Sequence, residues 1–542
     1  MGISDAYDTP ILIVGAGPVG LALAGDFGWR GTPCTVVEQS DGSIYQPRQD
    51  LVGIRTMEFC RRWGIVADVE TSPYPRDYPQ DNIYIAGSLA DGWEIGRHAS
   101  PAMDDARPPP QSPQRRERCP QNMFDPILAR FAGSFEHVDV RYNTQFVALN
   151  QDHEGVAVEI DDLERGGRET LRTRFVVGCD GAASRVREAA GISMTGNPAL
   201  TYTTNIIFRS AGFETLHDKP CGYRFIFLDE SGTWATIVAI NGRDQWRMSI
   251  IGNRHEKREL RADEIDAAIR RAVGRDFDYE ILSVVPWTRR ELVAERLSEG
   301  NVFLAGDAAH CMSPTGGFGM NTGIGDAVDL SWKLTALLQG WGGPGLLATY
   351  DVERRPVGLR NVTEASGNLG RMLSPGSNAD LLVPGGEGDR TRDAVGRDLA
   401  AAMQREWNTL GIHLGYRYEA SPIVWSDASP VPADEVMTYT QSTLPGARAP
   451  HVALGDGTST LDFFGREFVL LRIGPAAPDA VPLITAAAER ELPIRVVDVD
   501  EPAVLEAYQR RLVLVRPDGH VAWRADVPPD DALAVIDRVR GG

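Results

Sequence analysis

Pro10-Ile11-Leu12-Ile13-Val14 runs directly into Gly15-Ala16-Gly17-Pro18-Val19-Gly20, and no other stretch of the 542-residue chain restricts its fold so tightly. Five apolar residues in a row are the pattern of a strand buried on both faces. A helical stretch follows to Arg30, then a second apolar strand, Thr35-Val36-Val37, ending at Glu38. This strand–turn–helix–strand unit has the spacing of a dinucleotide site. Gly15 permits the tight turn, Gly17 lets backbone approach a diphosphate, and Gly20 lets helix and strand pack. The helix N-terminus supplies N–H donors and partial positive charge. Glu38, eighteen residues beyond Gly20, is placed to accept from ribose hydroxyls. A second literal match, Gly340 to Gly345, follows a helix and contains Pro344, so it reads as a helix-ending loop. The chain has one such fingerprint.

Length requires more than one domain. A net charge of −20 excludes nucleic acid and anionic membrane surfaces as partners. Six scattered cysteines without a CxxC spacing make neither a disulfide framework nor a zinc site, so a cytoplasmic location is expected. The start, MGISDAYDTP, lacks the basic and apolar regions of a signal peptide, and Ala6 breaks the myristoylation pattern. The apolar run Ile11 to Phe27 is interrupted by four glycines, Pro18 and Asp26, so no membrane span is expected. No metal-binding HExxH and no GxSxG nucleophile motif is present.

Further along, Arg55 to Val69 predicts a helix, and the Pro-rich 71–120 segment a long loop with a hairpin near Ile83–Ile95. Gln121 to Phe131 predicts a helix, and Val138–Ala148 and Val156–Ile160 antiparallel strands. Phe175 to Gly181 and Asn301 to Asp307 each read as a buried strand entering a glycine turn. Residues 195–290 alternate and are rich in aromatics, including Tyr202, Phe208, Phe225, Phe227 and Trp246, which predicts an antiparallel sheet with those rings mainly in its core. Asp326–Leu338 predicts a helix, 370–395 a connector, and the last hundred residues a small α/β unit closing on a helix at Asp531–Arg540.

The densest glycine cluster is Gly306-Asp307-Ala-Ala-His310-Cys-Met-Ser-Pro-Thr-Gly316-Gly-Phe-Gly319-Met320-Asn321-Thr-Gly323. Asp307 suits a polyol, Gly316 to Gly319 allow backbone to approach a flat ring, and the following helix N-terminus stabilises negative charge on it. GAGPVG with Glu38, CDGAASRVR at 179–187, and this cluster together resemble the single-component class A FAD-dependent aromatic hydroxylases, of the para-hydroxybenzoate hydroxylase and phenol hydroxylase type. The resemblance spans roughly residues 9–365; where the family carries Pro-Pro after the histidine, this chain has Ser313-Pro314.

The resemblance implies an α/β fold: a Rossmann-like, GR2-type FAD-binding domain, an antiparallel-sheet substrate domain and a thioredoxin-like C-terminal domain. The expected boundaries are 1–190 (with 71–120 on the substrate side) and 291–395 for the FAD domain, 191–290 for the substrate domain, 396–439 for a linker and 440–542 for the tail. It implies that Gly15, Gly17, Gly20, Glu38, Arg48, Gln121, Asp307 and the backbone of Gly319, Met320 and Asn321 bind FAD. Asp180 and Arg187 fall in the motif tied to FAD and nicotinamide binding. The tail has no cysteine, so it is expected to be structural or oligomer-forming, and its removal to spare the flavin.

In such enzymes NAD(P)H reduces FAD, O₂ adds to give a C4a-hydroperoxide, and an electrophilic OH passes to an activated phenolic ring. The protein must exclude water and favour the phenolate. Asp50 and Tyr223 are the candidates for handling the phenol proton, His310 is expected to hold its loop, and Cys179 and Cys311 to fill space. A Baeyer–Villiger or epoxidising enzyme acting on a polyketide would carry the same motifs. A non-catalytic flavin-binding sensor is the alternative from outside enzymology.

Overall fold

A computed structural model describes residues 7–253 and 255–542. The reading of the amino terminus as leaderless falls on residues 1–6, outside the described residues. Thr9–Val14 is a buried strand with parallel neighbours on both sides, Cys34–Val37 and Arg168–Gly178. Val302–Leu304 extends this sheet beyond Arg168–Gly178, and Val138–Arg141 extends it beyond Cys34–Val37, both in parallel. The Val138 strand is therefore a parallel member of the cofactor sheet and not the antiparallel strand its alternation predicts. The antiparallel pair is Thr144–Gln151 with Val156–Asp162, and the latter pairs with the start of Arg168–Gly178. Helix Pro18–Arg30 crosses over between the first two strands and packs on helices Gly319–Leu338 and Gln121–Gly133.

A second eight-stranded sheet orders its strands His310–Cys311, Glu280–Ala294, Met194–Arg209, Gln245–Ile251, Gly232–Ala239, Arg224–Asp229, Asn82–Ala86 and Trp93–His98. Pairing is antiparallel except between Arg224–Asp229 and Asn82–Ala86. The hairpin at 82–98 joins the 71–120 segment to this sheet. Phe208, Phe225, Phe227 and Trp246 lie in its core, as their alternation predicts. The two long strands carry the sheet back to His310–Cys311, inside the 306–323 cluster.

Several boundaries differ from expectation. Gly64 takes a left-handed φ of 78°, so the expected helix 55–69 is two, Ile54–Trp63 and Val66–Glu70. The helix expected at Asp326 begins at Gly319, because the glycines there sit within its first turns. The 395/396 boundary falls inside helix Gly386–Trp407, whose glycine-rich start masks it in the sequence.

The tail forms a four-stranded sheet, Ile494–Val499, Phe468–Ile473, Leu512–Val515 and Val521–Ala525, with a parallel pair followed by antiparallel ones. Helices Val481–Glu489 and Pro502–Tyr508, not foreseen, join the closing helix Ala532–Val539. This unit is stitched to the body by buried ions. Arg516 pairs with Glu353 at 2.5 Å and Asp329 at 3.1 Å, Lys333 bridges the same two acids, and Arg448 pairs with Glu58. Trp332 of the body packs in one cluster with Phe468 and Leu512 of the tail. Removal of the tail, expected to spare the flavin, would take Arg448 and Arg516 away from Glu58 and Glu353, so the body would keep those acids with fewer partners. No helix among the described residues is long and apolar enough to cross a membrane.

Candidate active site

Three separate stretches converge on one cavity of about 660 Å³: Gly15 and Gly17, Glu38, and Asp307 with Gly319. Gly15 sits at φ 106°, and a Cβ there would stand 2.5 Å from the Cys179 carbonyl oxygen. At Gly20 a Cβ would meet the Gly15 carbonyl at 1.9 Å, so the helix packs against the turn only because residue 20 is glycine. Gly17 is different: nothing lies within 4 Å of where its Cβ would be. It opens backbone to the cavity at the start of helix Pro18–Arg30, which has no side-chain cap. Helix Gly319–Leu338 also begins uncapped at the cavity wall. Two helix N-termini with unclaimed N–H groups around one space fit an anionic diphosphate and an electron-rich ring.

The remaining expected cofactor residues are placed as follows. Glu38 accepts from the amides of Ala16 at 2.9 Å and Ser40 at 2.8 Å, leaving further lone pairs for hydroxyl groups. The Arg48 amide donates to Gln121 Oε1 at 3.0 Å, and the Arg48 guanidinium lies 5.6 Å from the Trp287 ring centre. The Asp307 side chain is exposed to the cavity, whose walls withdraw bulk water from it and raise its carboxyl above the ordinary range against the pull of His310, Arg48 and Arg290. Met320 lines the cavity from the helix start, whereas the Asn321 side chain points into the protein. There it accepts from the Gly53 amide at 2.7 Å and donates to the Leu51 and Gly317 carbonyls, tying two loops together.

Asp180 lines the cavity, yet both its oxygens are engaged, by the Ser184 hydroxyl at 2.5 Å and the amides of Arg185 and Val186. Arg187 donates to the Ala308 carbonyl at 3.3 Å and so joins the 179–187 motif to the 306–323 motif. His310 is fully buried and bonds Asp326 Oδ2 at 2.7 Å, a carboxylate that also accepts from the Gly306 amide and Arg354. It braces the turn. Burial raises the Cys311 thiol to about 12, and Cys179 is pushed up as well, so both stay neutral.

On the opposite wall, Tyr223 donates to Asp50 Oδ2 across 173 residues of sequence. Arg118 donates to Asp50 Oδ1 at 2.7 Å and lies 3.7 Å from the Tyr223 ring centre. Burial alone would raise Asp50, but Arg118, Arg247 and the Tyr223 hydrogen bond outweigh it and hold the carboxyl below its ordinary value. Burial and the Asp50 charge raise Tyr223 despite Arg118. The pair is a carboxylate backing a neutral phenol, whose oxygen remains an acceptor toward the cavity.

The arginines are what sequence reasoning missed. Arg116, Arg118, Arg224, Arg247 and Arg289 all line this cavity. Strand alternation carried the signal: Trp246 and Met248 face the core, so Arg247 faces away from it, and Val285, Trp287 and Arg289 repeat every second residue along one cavity-facing edge. Arg224 pairs with Glu406 at 3.0 Å, and Arg247 reaches Asp50 only at 3.9 Å. Arg289 donates to Thr203 and Ser313 hydroxyls, and Arg116 to the Trp407 carbonyl and the Ser100 hydroxyl. Burial and neighbouring arginines pull both guanidiniums down to about 10.

A cavity with two uncapped helix N-termini on one side and a second sheet for its far wall suits a dinucleotide cofactor facing a separate substrate. Residues 8–365 match the FAD binding domain family and residues 442–541 the aromatic-ring hydroxylase C-terminal family, so the chain belongs to the class A FAD-dependent aromatic hydroxylases. It is an FAD-dependent aromatic monooxygenase, and the sensor alternative falls away. The chain is similar to 4-methyl-5-nitrocatechol 5-monooxygenase of a Burkholderia species, at 32% identity covering 98% of this chain and 97% of that one. Among solved structures it is similar to RebC soaked with chromopyrrolic acid and holding 7-carboxy-K252c, with a TM-score of 0.91 and 39% identity over 98% of this chain and 99% of that one. It is also similar to the flavin-dependent monooxygenase PieE with FAD and substrate, at a TM-score of 0.87 and 30% identity over 99% and 100%.

Proposed function

We propose that this monooxygenase hydroxylates a phenolic polycyclic substrate bearing a carboxylate, with NAD(P)H as electron donor and O₂ as oxidant. The observation that carries the substrate class is the pair Arg116 and Arg289. Among the described residues neither has a carboxylate within ion-pair distance, while both line the cavity and Arg289 is only 4% exposed. A buried guanidinium without a direct ion-pair partner is costly, Glu406 acting on Arg289 only at longer range, and a substrate carboxylate offers the bidentate partner its geometry suits. The carboxylated ligand held by RebC supports this reading.

FAD, when bound, supplies the reducible ring on which oxygen is activated. Gly17 and the two helix N-termini would hold its diphosphate and ring edge, Glu38 its ribose, and Asp307 its polyol chain. The cavity wall of Thr236, Val238, Ile207 and Val285 turns neutral side chains toward the substrate space and limits water there. Tyr223 accepts a hydrogen bond from the substrate phenol, and ionised Asp50 makes its oxygen a stronger acceptor, so electron density rises on the ring to be attacked. NAD(P)H meets no second fingerprint, since Gly340 to Gly345 closes a helix, which supports a transient visit.

The test is Arg289→Met assayed with a carboxylated polycyclic phenol and with its methyl ester. The KM for the acid should rise roughly 10–150-fold, the loss of one charged hydrogen-bonding partner at about 1.5–3 kcal/mol, while the ester changes little. Equal effects on acid and ester would refute the carboxylate reading. Product mass and NMR on the same samples separate ring hydroxylation from a ring-expanded lactone or an epoxide.

A further inference from the structure

A second cavity of about 410 Å³ adjoins the first, sharing Gly17 and Glu38 with it and lying between the 38–44 turn and helix Gln121–Gly133. Asp125 projects from that helix into its wall and is only 4% exposed. Its Oδ2 accepts from Gln121 Nε2 at 3.0 Å, and Gln121 in turn accepts from the Arg48 amide. Its Oδ1 is buried and has no hydrogen-bond partner. That oxygen therefore has its hydrogen-bonding capacity unspent at the wall of the cavity.

The charges around Asp125 indicate which protonation state takes that ligand. Glu38 and Asp41 face the cavity from the strand end and turn, Tyr142 from the neighbouring strand connection, and Arg130 from the same helix, while the Cys119 thiol lies just before it. Burial pushes the Asp125 carboxyl up to about 7, with Gln121 pulling the other way. Two acids already oppose one arginine here, and a diphosphate brought in at Gly17 adds more negative charge. A neutral carboxyl also does two jobs at once: it accepts from Gln121 and donates to a ligand oxygen.

Resting on the FAD assignment, we propose that Asp125 is a cofactor-binding residue whose protonated carboxyl donates a hydrogen bond from Oδ1 to the adenylate ribose of FAD, with Glu38 accepting from the same sugar. FAD binding then takes up a proton, and affinity falls as pH rises. With only the protonated form competent, the dissociation constant grows as that form is depleted, by roughly 10–100-fold between pH 7 and pH 9.

The experiment is equilibrium dialysis of FAD against the full-length protein from pH 6 to pH 9, read by FAD fluorescence. Wild type should weaken over that span. Asp125→Asn, which keeps an acceptor for Gln121 and cannot ionise, should bind with a flat profile and more tightly than wild type at pH 9. Calorimetry of wild type in buffers of different ionisation enthalpy should show close to one proton taken up per FAD at pH 8, a reading that needs no variant. A flat wild-type profile, the wild-type slope persisting in Asp125→Asn, or no proton uptake would each overturn the proposal. Wild type taking up no FAD at any pH would instead overturn the cofactor assignment beneath it.

Discussion

Tyr223→Phe removes one oxygen from the candidate active site and leaves the rest in place. The ring would stay beneath the Arg118 guanidinium, which lies 3.7 Å from its centre. Asp50 would keep its ion pair with Arg118 at 2.7 Å, so it would remain ionised with one donor fewer. What disappears is the acceptor offered to the substrate phenol, together with its backing by a charge. Hydrogen bonds involving charged groups contribute about 1.5–3 kcal/mol, and each ~1.36 kcal/mol is tenfold in rate. The variant should therefore lose roughly 10–150-fold in kcat/KM while its FAD affinity and flavin spectrum stay as in wild type. The assay counts hydroxylated product per NAD(P)H consumed and measures hydrogen peroxide released alongside. Peroxide should rise as product falls, because the oxidant is still made but meets a less activated ring. Wild-type kcat/KM and coupling in Tyr223→Phe would refute the assignment of this pair.

Two further expectations use other parts of the molecule. Asp307→Ala should weaken FAD binding roughly 10–150-fold, the loss of a charged acceptor to the polyol chain at ~1.5–3 kcal/mol, measured by dialysis; unchanged affinity would place the polyol elsewhere. Glu58 is the acid-sensitive joint: burial pushes its carboxyl up, but Arg448 and Arg55 outweigh burial and hold it at about 2, against an ordinary 4.5. A depressed carboxyl contributes stability above its unfolded value and loses it as pH falls toward the folded one. Denaturation followed from pH 7 to pH 2.5 should show wild type losing about 3 kcal/mol below pH 4.5, at ~1.36 kcal/mol per pKa unit. Glu58→Gln should be less stable at neutral pH and flatter in that window, and an identical acid profile would contradict the assignment.

Much of the cofactor side is legible in the sequence because single local segments carry the instruction. Gly15, Gly20 and Glu38 lie within one strand–helix–strand unit, where spacing fixes geometry. The substrate side is not written that way. Arg118 reaches Asp50 because Leu51–Val52 pairs antiparallel with Glu117–Arg118, a two-residue ladder without a periodic signal. Tyr223 reaches Asp50 because the strand following it lies parallel to Asn82–Ala86, a pairing no hairpin rule implies. The cavity arginines sit on the less conspicuous face of strands whose aromatic face drew the reading. Helix Gly386–Trp407 was hidden by the glycines at its start, and Asp125 by looking like a surface acid in a helical run.

The buried ions between tail and body also impose an order on the chain's birth. The ribosome makes Glu58, Asp329 and Glu353 well before Arg448 and Arg516, their buried partners. A nascent body that closed early would have to enclose those acids with Arg55 and Lys333 as their ion-pair partners and the Ser112 and Ser421 hydroxyls as donors. Domains commonly mature in the order they emerge, but here the first-made unit completes its interior only when the last hundred residues arrive.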